Sequence, residues 1–489
     1  MPLPEVARLA RLTDDDLRAF RDRLRAIALD VEAVDRAMLP GRALPPVLRE
    51  PLVRWHARHA PGDAGLVIRA FVADDPVGEA ELARALGAKL VEALLDAGLL
   101  ARVGLGVVSP YHLAHFDQTL VFVDRLTHGS EAVSISPLAP TLMAAAYPPA
   151  RIGSVLDLAC GAGATALVLA TNADRVVAVD SSPRSVALAR FNARLNGAHN
   201  LEILEEDPLG PPAWGEFDLV TSNPPFDAFP SDPSARGDEH AGAQLGAAAK
   251  HLAPGGRAVV LAEWVELEAE PPIPARLRER LEGSVDLLVL LAPPTALDER
   301  CVRASTTAAP GLDARWALRC EQARERLHLV GARDTRPSLT VLRRRATPGA
   351  PLTSAIDIAA LAAVQPSSAR IARLLATRDL LAGNDAELLS AKLRIPPKTT
   401  IVTERDGTDP GAPMLIQARF SPRAMLLPLG LNDEAVTLAQ LVHQAGSIAE
   451  ALAFYQRTLG VDATTARGKL LPHAREALER GLLEPAPGG

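Results

Sequence analysis

The sequence predicts an α/β protein organised around a doubly wound, mostly parallel sheet, and three observations carry that prediction. Residues 155–158, 176–179 and 217–222 are apolar runs of strand length. Each delivers glycine or polar residues at its C-terminal end: Ala159-Cys160-Gly161-Ala162-Gly163, then Asp180-Ser181, then Asn223-Pro224-Pro225-Phe226. Helical stretches separate the runs, and strand ends arranged in this way open a ligand crevice.

Composition sets the bounds. A chain of 489 residues exceeds one ordinary core, so two to four domains are expected. The net charge of −7 gives no global pull toward nucleic acid, and 3% aromatic residues provide no extended base-stacking platform. Cys160, Cys301 and Cys320 are far apart and form no Cys-x-x-Cys pair, so neither a disulfide framework nor a structural metal is expected. The chain begins with a charged helix rather than an apolar leader. Its longest apolar run, 358–364, is far below the ~20 residues of a membrane span. A cytoplasmic protein with no membrane partner is the expectation.

Residues 1–130 read as a mainly helical first domain. Thr13 before three aspartates signals a helix start, and Leu17, Phe20, Leu24, Ile27 and Val31 follow at helical spacing. Arg18, Arg21, Arg23 and Arg25 between them read as a solvated face. Two short helices around Gly87, with strands in 99–108 and at 120–123, suggest a winged-helix-like order. Lys89 faces Glu92 and Asp96 on the second helix, so a structural or substrate-presenting role is expected rather than duplex reading.

Residues 131–346 hold the sheet. Gly161 and Gly163 make the turn from the first strand into a helix, where the backbone must approach a ligand or take positive φ. Asp180 ends the second strand, 17 residues beyond Gly163, and a carboxylate there accepts both hydroxyls of a ribose. These two features suit a NAD site as well as others. Position 166, where a third dinucleotide-binding glycine would fall, is Ala166. A third strand, residues 201–205, leads to Glu206 and Asp207-Pro208. In Asn223-Pro224-Pro225-Phe226 two successive prolines end both ladder and helix, and Pro224 holds Asn223 extended. The Asn223 side-chain oxygen and the Pro224 carbonyl can accept the two N–H bonds of a planar amine. Phe226 can stack on the group that carries it. Further strands are expected at 257–264, 285–291 and 339–343, the last followed by Arg343-Arg344-Arg345 on a solvated edge.

At these residues the chain resembles the class I S-adenosylmethionine (SAM) dependent methyltransferases, and within them the Asn-Pro-Pro-Tyr/Phe subgroup. The likeness covers residues 135–346. It implies a Rossmann-like, seven-stranded sheet with an antiparallel last strand at its edge. It also implies SAM as cofactor, with S-adenosylhomocysteine as product. Asp157 then holds the cofactor's amino group; Asp180, with Ser181 beside it, holds the ribose; Asp207 and Pro208 meet the adenine. Pro140-Thr141 matches a segment crossing the methionine end. Ala159 departs from the glycine most frequent in the family, and its methyl fits if φ is negative. Asn223, Pro224, Pro225 and Phe226 hold the target amine. The subgroup includes HemK-like enzymes for release-factor glutamine, and enzymes for guanine N2 and adenine N6. An exocyclic base amine in RNA is the expected target, with a protein glutamine as the alternative. A non-enzymatic SAM-binding regulator is the third reading.

Residues 347–489 read as a mixed C-terminal domain after a linker at Pro348, Gly349 and Pro351. Helices are expected at 369–381, 386–393, 434–443, 448–459 and 464–480, the last bent or broken at Pro472. Strands are expected at 399–403, 414–420 and 425–427. The final helices with Gly481 suggest a second winged-helix-like bundle. Arg467, Lys469, His473 and Arg475 make its last helix the better candidate surface for a partner, RNA or protein.

Overall fold

The computed structural model describes all residues except 1–2, 28–45, 61, 126–131, 211–213, 228–231, 233–234, 309–313, 348, 362–365, 405–414, 421–428, 432 and 487–489. Thr13 starts the first long helix, Asp14–Ala26, through a reciprocal cap: its hydroxyl accepts the Asp16 N–H at 3.1 Å, and Asp16 accepts the Thr13 N–H at 3.0 Å. Leu17, Phe20 and Leu24 are buried from that helix; the expected continuation through Val31 lies outside the described residues. Phe20 lies 5.4 Å from Phe71 and 6.1 Å from Phe122, ring to ring, so few aromatics still build a dense first core.

The helices Glu79–Leu86 and Ala88–Asp96 meet at Gly87 as expected, but the strands after them pair differently. Strand β1 (Ala101–Val103) pairs with β2 (Gly106–Val108), and β3 (Tyr111–Phe116) pairs with β4 (Thr119–Asp124). The expected partnership of 99–108 with 120–123 does not form. Two local hairpins with two-residue turns close shorter loops than one long-range pairing does. His112 and His115 had masked β3 as a strand.

The central sheet contains β5 (Ile152–Leu158), β6 (Ala173–Asp180), β7 (Leu201–Glu205), β8 (Phe217–Ser222), β9 (Leu252–Leu267), β10 (Val285–Leu291), β11 (Thr295–Ala296), β12 (Ala332–Arg344) and β13 (Thr353–Asp357). Its path runs β13-β10-β12-β9-β8-β5-β6-β7, with β11 paired to β12. On that path β12 alone opposes the other strands. Strand order reverses between β5 and β8, which is the switch point where such sheets bind ligands. Helices cover both faces, so β10 is buried at all seven positions and is apolar at every one but Asp286.

Two edge expectations are corrected here. The strand containing 339–343 is not at the edge: β12 lies between β9 and β10, and Ser338 to Leu342 are all buried. The edge is extended by β13, which lies in the third segment of the chain yet adds parallel to β10. The three arginines after β12 are likewise not a solvated edge. Arg343 and Arg345 both reach buried Asp286 and, at 2.7 and 3.1 Å, Asp379, while Arg344 meets Glu216 at 2.5 Å. Asp379 on one side and Asp286 on the other hold the Arg343 guanidinium charged well above its ordinary range.

In the C-terminal part, the helix Asp385–Ser390 stops short of the expected 393, because Leu393 enters β14 (Leu393–Arg394). β15 (Thr400–Glu404), β16 (Leu415–Arg419) and β17 (Leu429–Leu431) form a small antiparallel sheet; Met414 and the strand expected at 425–427 lie outside the described residues. β18 (Glu484–Pro485) pairs with β14. Of the bend or break expected at Pro472, the break does not occur: the helix Ala463–Glu479 runs through it. The carbonyl that Pro472 leaves without a donor belongs to exposed Gly468, where water can satisfy it. Among the described residues no helix is long and apolar enough to cross a membrane, and no cluster of three metal-ligating side chains occurs.

Candidate active site

Strand register assembles the site. Leu158 of β5 stands opposite Val179 of β6 and Ser222 of β8, and Asp180 stands opposite Glu205 of β7. The residues that follow, the Ala159–Gly163 loop, Asp180-Ser181, Asp207 and Asn223, therefore share the carboxyl end of the sheet across its switch point. A parallel sheet puts them there whatever their side chains do; the side chains decide the chemistry.

Asp157 is 3% exposed. Its Oδ1 accepts the Thr221 hydroxyl at 2.7 Å, while buried Oδ2 has no hydrogen-bond partner. Burial is the largest influence on this carboxyl and pushes its pKa up to about 7; the Thr221 hydroxyl and the nearby Ala166 N–H act in the opposite direction, and Asp180 in the same one. A buried carboxylate oxygen without a donor is costly unless a ligand supplies one.

The loop after β5 is wound tightly. Ala159, Gly161 and Gly163 have φ of +55°, +56° and +81°. At Gly163 a β-carbon would come 3.2 Å from that of Ala189, whereas at Gly161 it would meet only Val133 at 4.0 Å. Gly163 is thus required by helix packing, and Gly161 leaves the crevice open. The expectation that Ala159 takes negative φ is overturned, because the turn needs left-handed backbone at three of five positions. Replacing Ala159 with glycine is expected to raise the unfolding free energy by about 1 kcal/mol, read from the denaturant midpoint at unchanged slope.

Asp180 Oδ2 accepts the Gly161 N–H at 2.8 Å and Oδ1 accepts the Ser182 N–H at 2.9 Å. Each oxygen retains acceptor capacity for a diol. Ser181 is exposed beside it, and Ser182 caps the helix Pro183–Asn196. Of the two acids after β7, Glu206 is engaged by the Trp214 indole N–H at 2.7 Å. Asp207 is exposed and, among the described residues, its side chain accepts only the Leu209 N–H at 2.9 Å, with Pro208 buried beside it. Thr141 is buried in the helix Ala139–Ala146, and its hydroxyl donates to the Leu361 carbonyl at 3.4 Å.

Asn223 is half-buried at the end of β8, and its carboxamide makes no hydrogen bond among the described residues. Pro224 is buried and Pro225 exposed. Phe226 packs on Leu297, Cys301 and Leu327 of the helical pair inserted between β10 and β12. The Arg300 guanidinium sits over its ring at 4.3 Å and is held by Glu263 at 2.8 Å. One ring face is therefore taken. Gly237 supports the loop from below: its carbonyl accepts the Asp227 N–H at 3.0 Å, and a β-carbon there would lie 2.3 Å from the Asp227 carbonyl oxygen.

Thr221, Arg300 and Asn192, which binds the Ala162 carbonyl at 3.0 Å, were not singled out from the sequence. Thr221 stood inside a strand pattern that accounted for it. Arg300 and Asn192 sat in helices with no motif, where only the fold reveals their partners.

Comparison with known proteins bears on this same region. Residues 138–279 match the family described as methyltransferase small domain. The release factor glutamine methyltransferase of Escherichia coli is 39% identical over 74 residues, 15% of this chain and 27% of that protein. The ribosomal protein L11 methyltransferase of Rhodopseudomonas palustris is 45% identical over 75 residues, 14% of this chain and 25% of that protein. The chain thus spans about a quarter of the length of these curated relatives. Among solved structures, the YcgJ protein of Bacillus subtilis is 16% identical with a TM-score of 0.30, covering 42% of this chain and 97% of that one.

Proposed function

We propose that the protein transfers the methyl group of SAM to a planar nitrogen, in a side-chain amide or an exocyclic amine. The observation that carries the reading is the Asn223 carboxamide, without a hydrogen bond among the described residues and two positions beyond Thr221, whose register partner Asp157 has an unpaired Oδ2. The residues fit the cofactor. Asp157 offers a buried acceptor to an ammonium, Asp180 has capacity left for a ribose diol, Asp207 stands at the end of the third strand, and Gly161 leaves space. Pro208 and Ser181 would border the adenine and ribose; Thr141, turned to Leu361, is best placed to support its helix.

When bound, SAM supplies an electrophilic methyl group. The remaining work falls to the chain. An amide or arylamine nitrogen is a weak nucleophile because its lone pair is delocalised. The Asn223 oxygen and the Pro224 carbonyl accept its two N–H bonds, fixing the plane of the group and drawing the nitrogen toward pyramidal geometry. Pro224 and Pro225 keep the chain from continuing as strand beyond β8. Phe226, backed by Arg300, presents one aromatic face to the target.

A protein glutamine amide is the favoured target, since the similar curated proteins are named for release factor glutamine and for a ribosomal protein. An RNA base amine, the target expected from the sequence, has one observation in its favour. Arg18, Arg21, Arg190 and Arg194 line a groove of about 480 Å³ on an otherwise acidic protein. Against it, Arg18 is paired with Asp15 and Arg194 with Asp14. Labelled methyl transfer into an extract of cells lacking the protein separates the two. Label that follows a protein through nuclease digestion supports the glutamine reading, and nuclease-released label supports the RNA reading. No label in either, with SAM bound, overturns both in favour of a regulator or a small-molecule enzyme.

A further inference from the structure

Asn192 lies on the buried side of the helix Pro183–Asn196 with none of its surface exposed. Its Oδ1 accepts the Phe122 N–H at 2.8 Å, and its Nδ2 donates to the Phe122 carbonyl at 2.9 Å and to the Ala162 carbonyl at 3.0 Å. One turn later Asn196 repeats half of this pattern. It accepts the Leu120 N–H at 3.0 Å and donates to the Leu120 carbonyl at 2.7 Å, but its other N–H goes to the Asn192 carbonyl at 2.8 Å.

Leu120 and Phe122 are two apart on β4 and present their backbone groups away from β3. The two asparagines, four apart on one helix face, stand where another strand would pair. The same helix grips the end of β4, where Arg184 meets Asp124 at 2.5 Å and Asp124 accepts the Val133 N–H at 2.9 Å. The β3–β4 hairpin is thus bound along the whole helix, and among the described residues only Asn192 hydrogen-bonds both that hairpin and the glycine loop.

We infer that Asn192 is a positioning residue for the cofactor, linking the docked β3–β4 hairpin to the loop that receives it. The inference rests on the SAM reading above. The loop's two flanking peptide groups are then fixed from opposite sides: the Gly161 N–H by Asp180 and the Ala162 carbonyl by Asn192. Glycine-rich backbone has much conformational freedom to lose. A loop held beforehand binds its ligand without bearing that loss at the moment of binding.

The test compares Asn192→Ala with Asn196→Ala in the full chain, using calorimetric titration of SAM and denaturant unfolding. Both variants lose contacts with β4, so both are expected to lose stability. Only Asn192→Ala is expected to weaken SAM binding, by roughly tenfold, and to speed amide exchange at Gly161 and Gly163; Asn196→Ala should stay within about twofold of the parent. Asn192→Ser, a smaller polar side chain that falls short of Ala162, serves if Asn192→Ala does not fold. Equal SAM affinity in the Asn192 variant and the parent overturns the inference, as does equal weakening in the two alanine variants. A parent chain that binds no SAM overturns the methyltransferase reading itself, and this inference with it.

Discussion

Asn223→Ala is expected to bind SAM with near-parent affinity and to transfer methyl slower by on the order of 100-fold or more. The two halves of that result follow from where Asn223 sits. It follows β8, across the switch point from the Asp157 strand, and it bonds to nothing among the described residues. Removing its carboxamide therefore leaves the proposed cofactor contacts at Asp157, Asp180 and Asp207 untouched. What it removes is an acceptor whose value rises as the target nitrogen develops positive charge. Such a contact lowers the barrier without tightening the ground state, so kcat should fall while the KM for SAM holds. Single-turnover transfer, with SAM affinity measured separately, checks both halves. Turnover within a few-fold of the parent would remove Asn223 from the mechanism.

Asp157→Asn is expected to weaken SAM binding by roughly 10- to 100-fold, the range for losing a charge-assisted bond at a buried site. It should also abolish a pH dependence. Because burial raises the Asp157 pKa to about 7, the ligand-free carboxyl is neutral in mildly acid solution. SAM affinity of the parent should fall about tenfold per unit of pH below 7, since the ammonium then meets a protonated acid. Stability moves in the other direction. Between an unfolded value near 3.8 and the folded value near 7 the native state holds more protons than the unfolded chain, so ligand-free stability declines as pH rises through this window and levels off above it. The asparagine variant should lose that slope and melt higher than the parent at pH 8. Titrations at pH 6 and 8, with melting curves at the same values, check each arm. An unchanged pH dependence of binding in the variant would mean that another group titrates.

The centre of the fold was legible because its strands are buried on both faces and therefore read as plain apolar runs, and because strand ends carry their own punctuation in Gly161, Asp180 and Asn223. The register that aligns Leu158, Val179 and Ser222 follows from parallel pairing alone. What stayed hidden depended on partners distant in sequence. The left-handed backbone at Ala159 has no sequence signal when alanine occupies the position. Arg343 and Arg345 read as solvated charges because Asp286 is 57 to 59 residues away and Asp379 34 to 36. Asn192 reads as an ordinary helix residue until β4 is placed beside it. The order of β12 and β13 could not be deduced from hydrophobicity, since β13 is a short, partly exposed strand, Thr353–Asp357, with no apolar run to mark it.

The position of β13 has a consequence for how the protein is made. The sheet is completed by a strand that leaves the ribosome only after residue 357, long after Asp157, Asp180 and Asn223 have emerged. Until then β10 has one unpaired margin, and the Arg343–Asp379 contact waits for a helix that begins at Ser368. The sheet is thus encoded early but completed late, with β10, apolar except at Asp286, open along one margin until β13 is made.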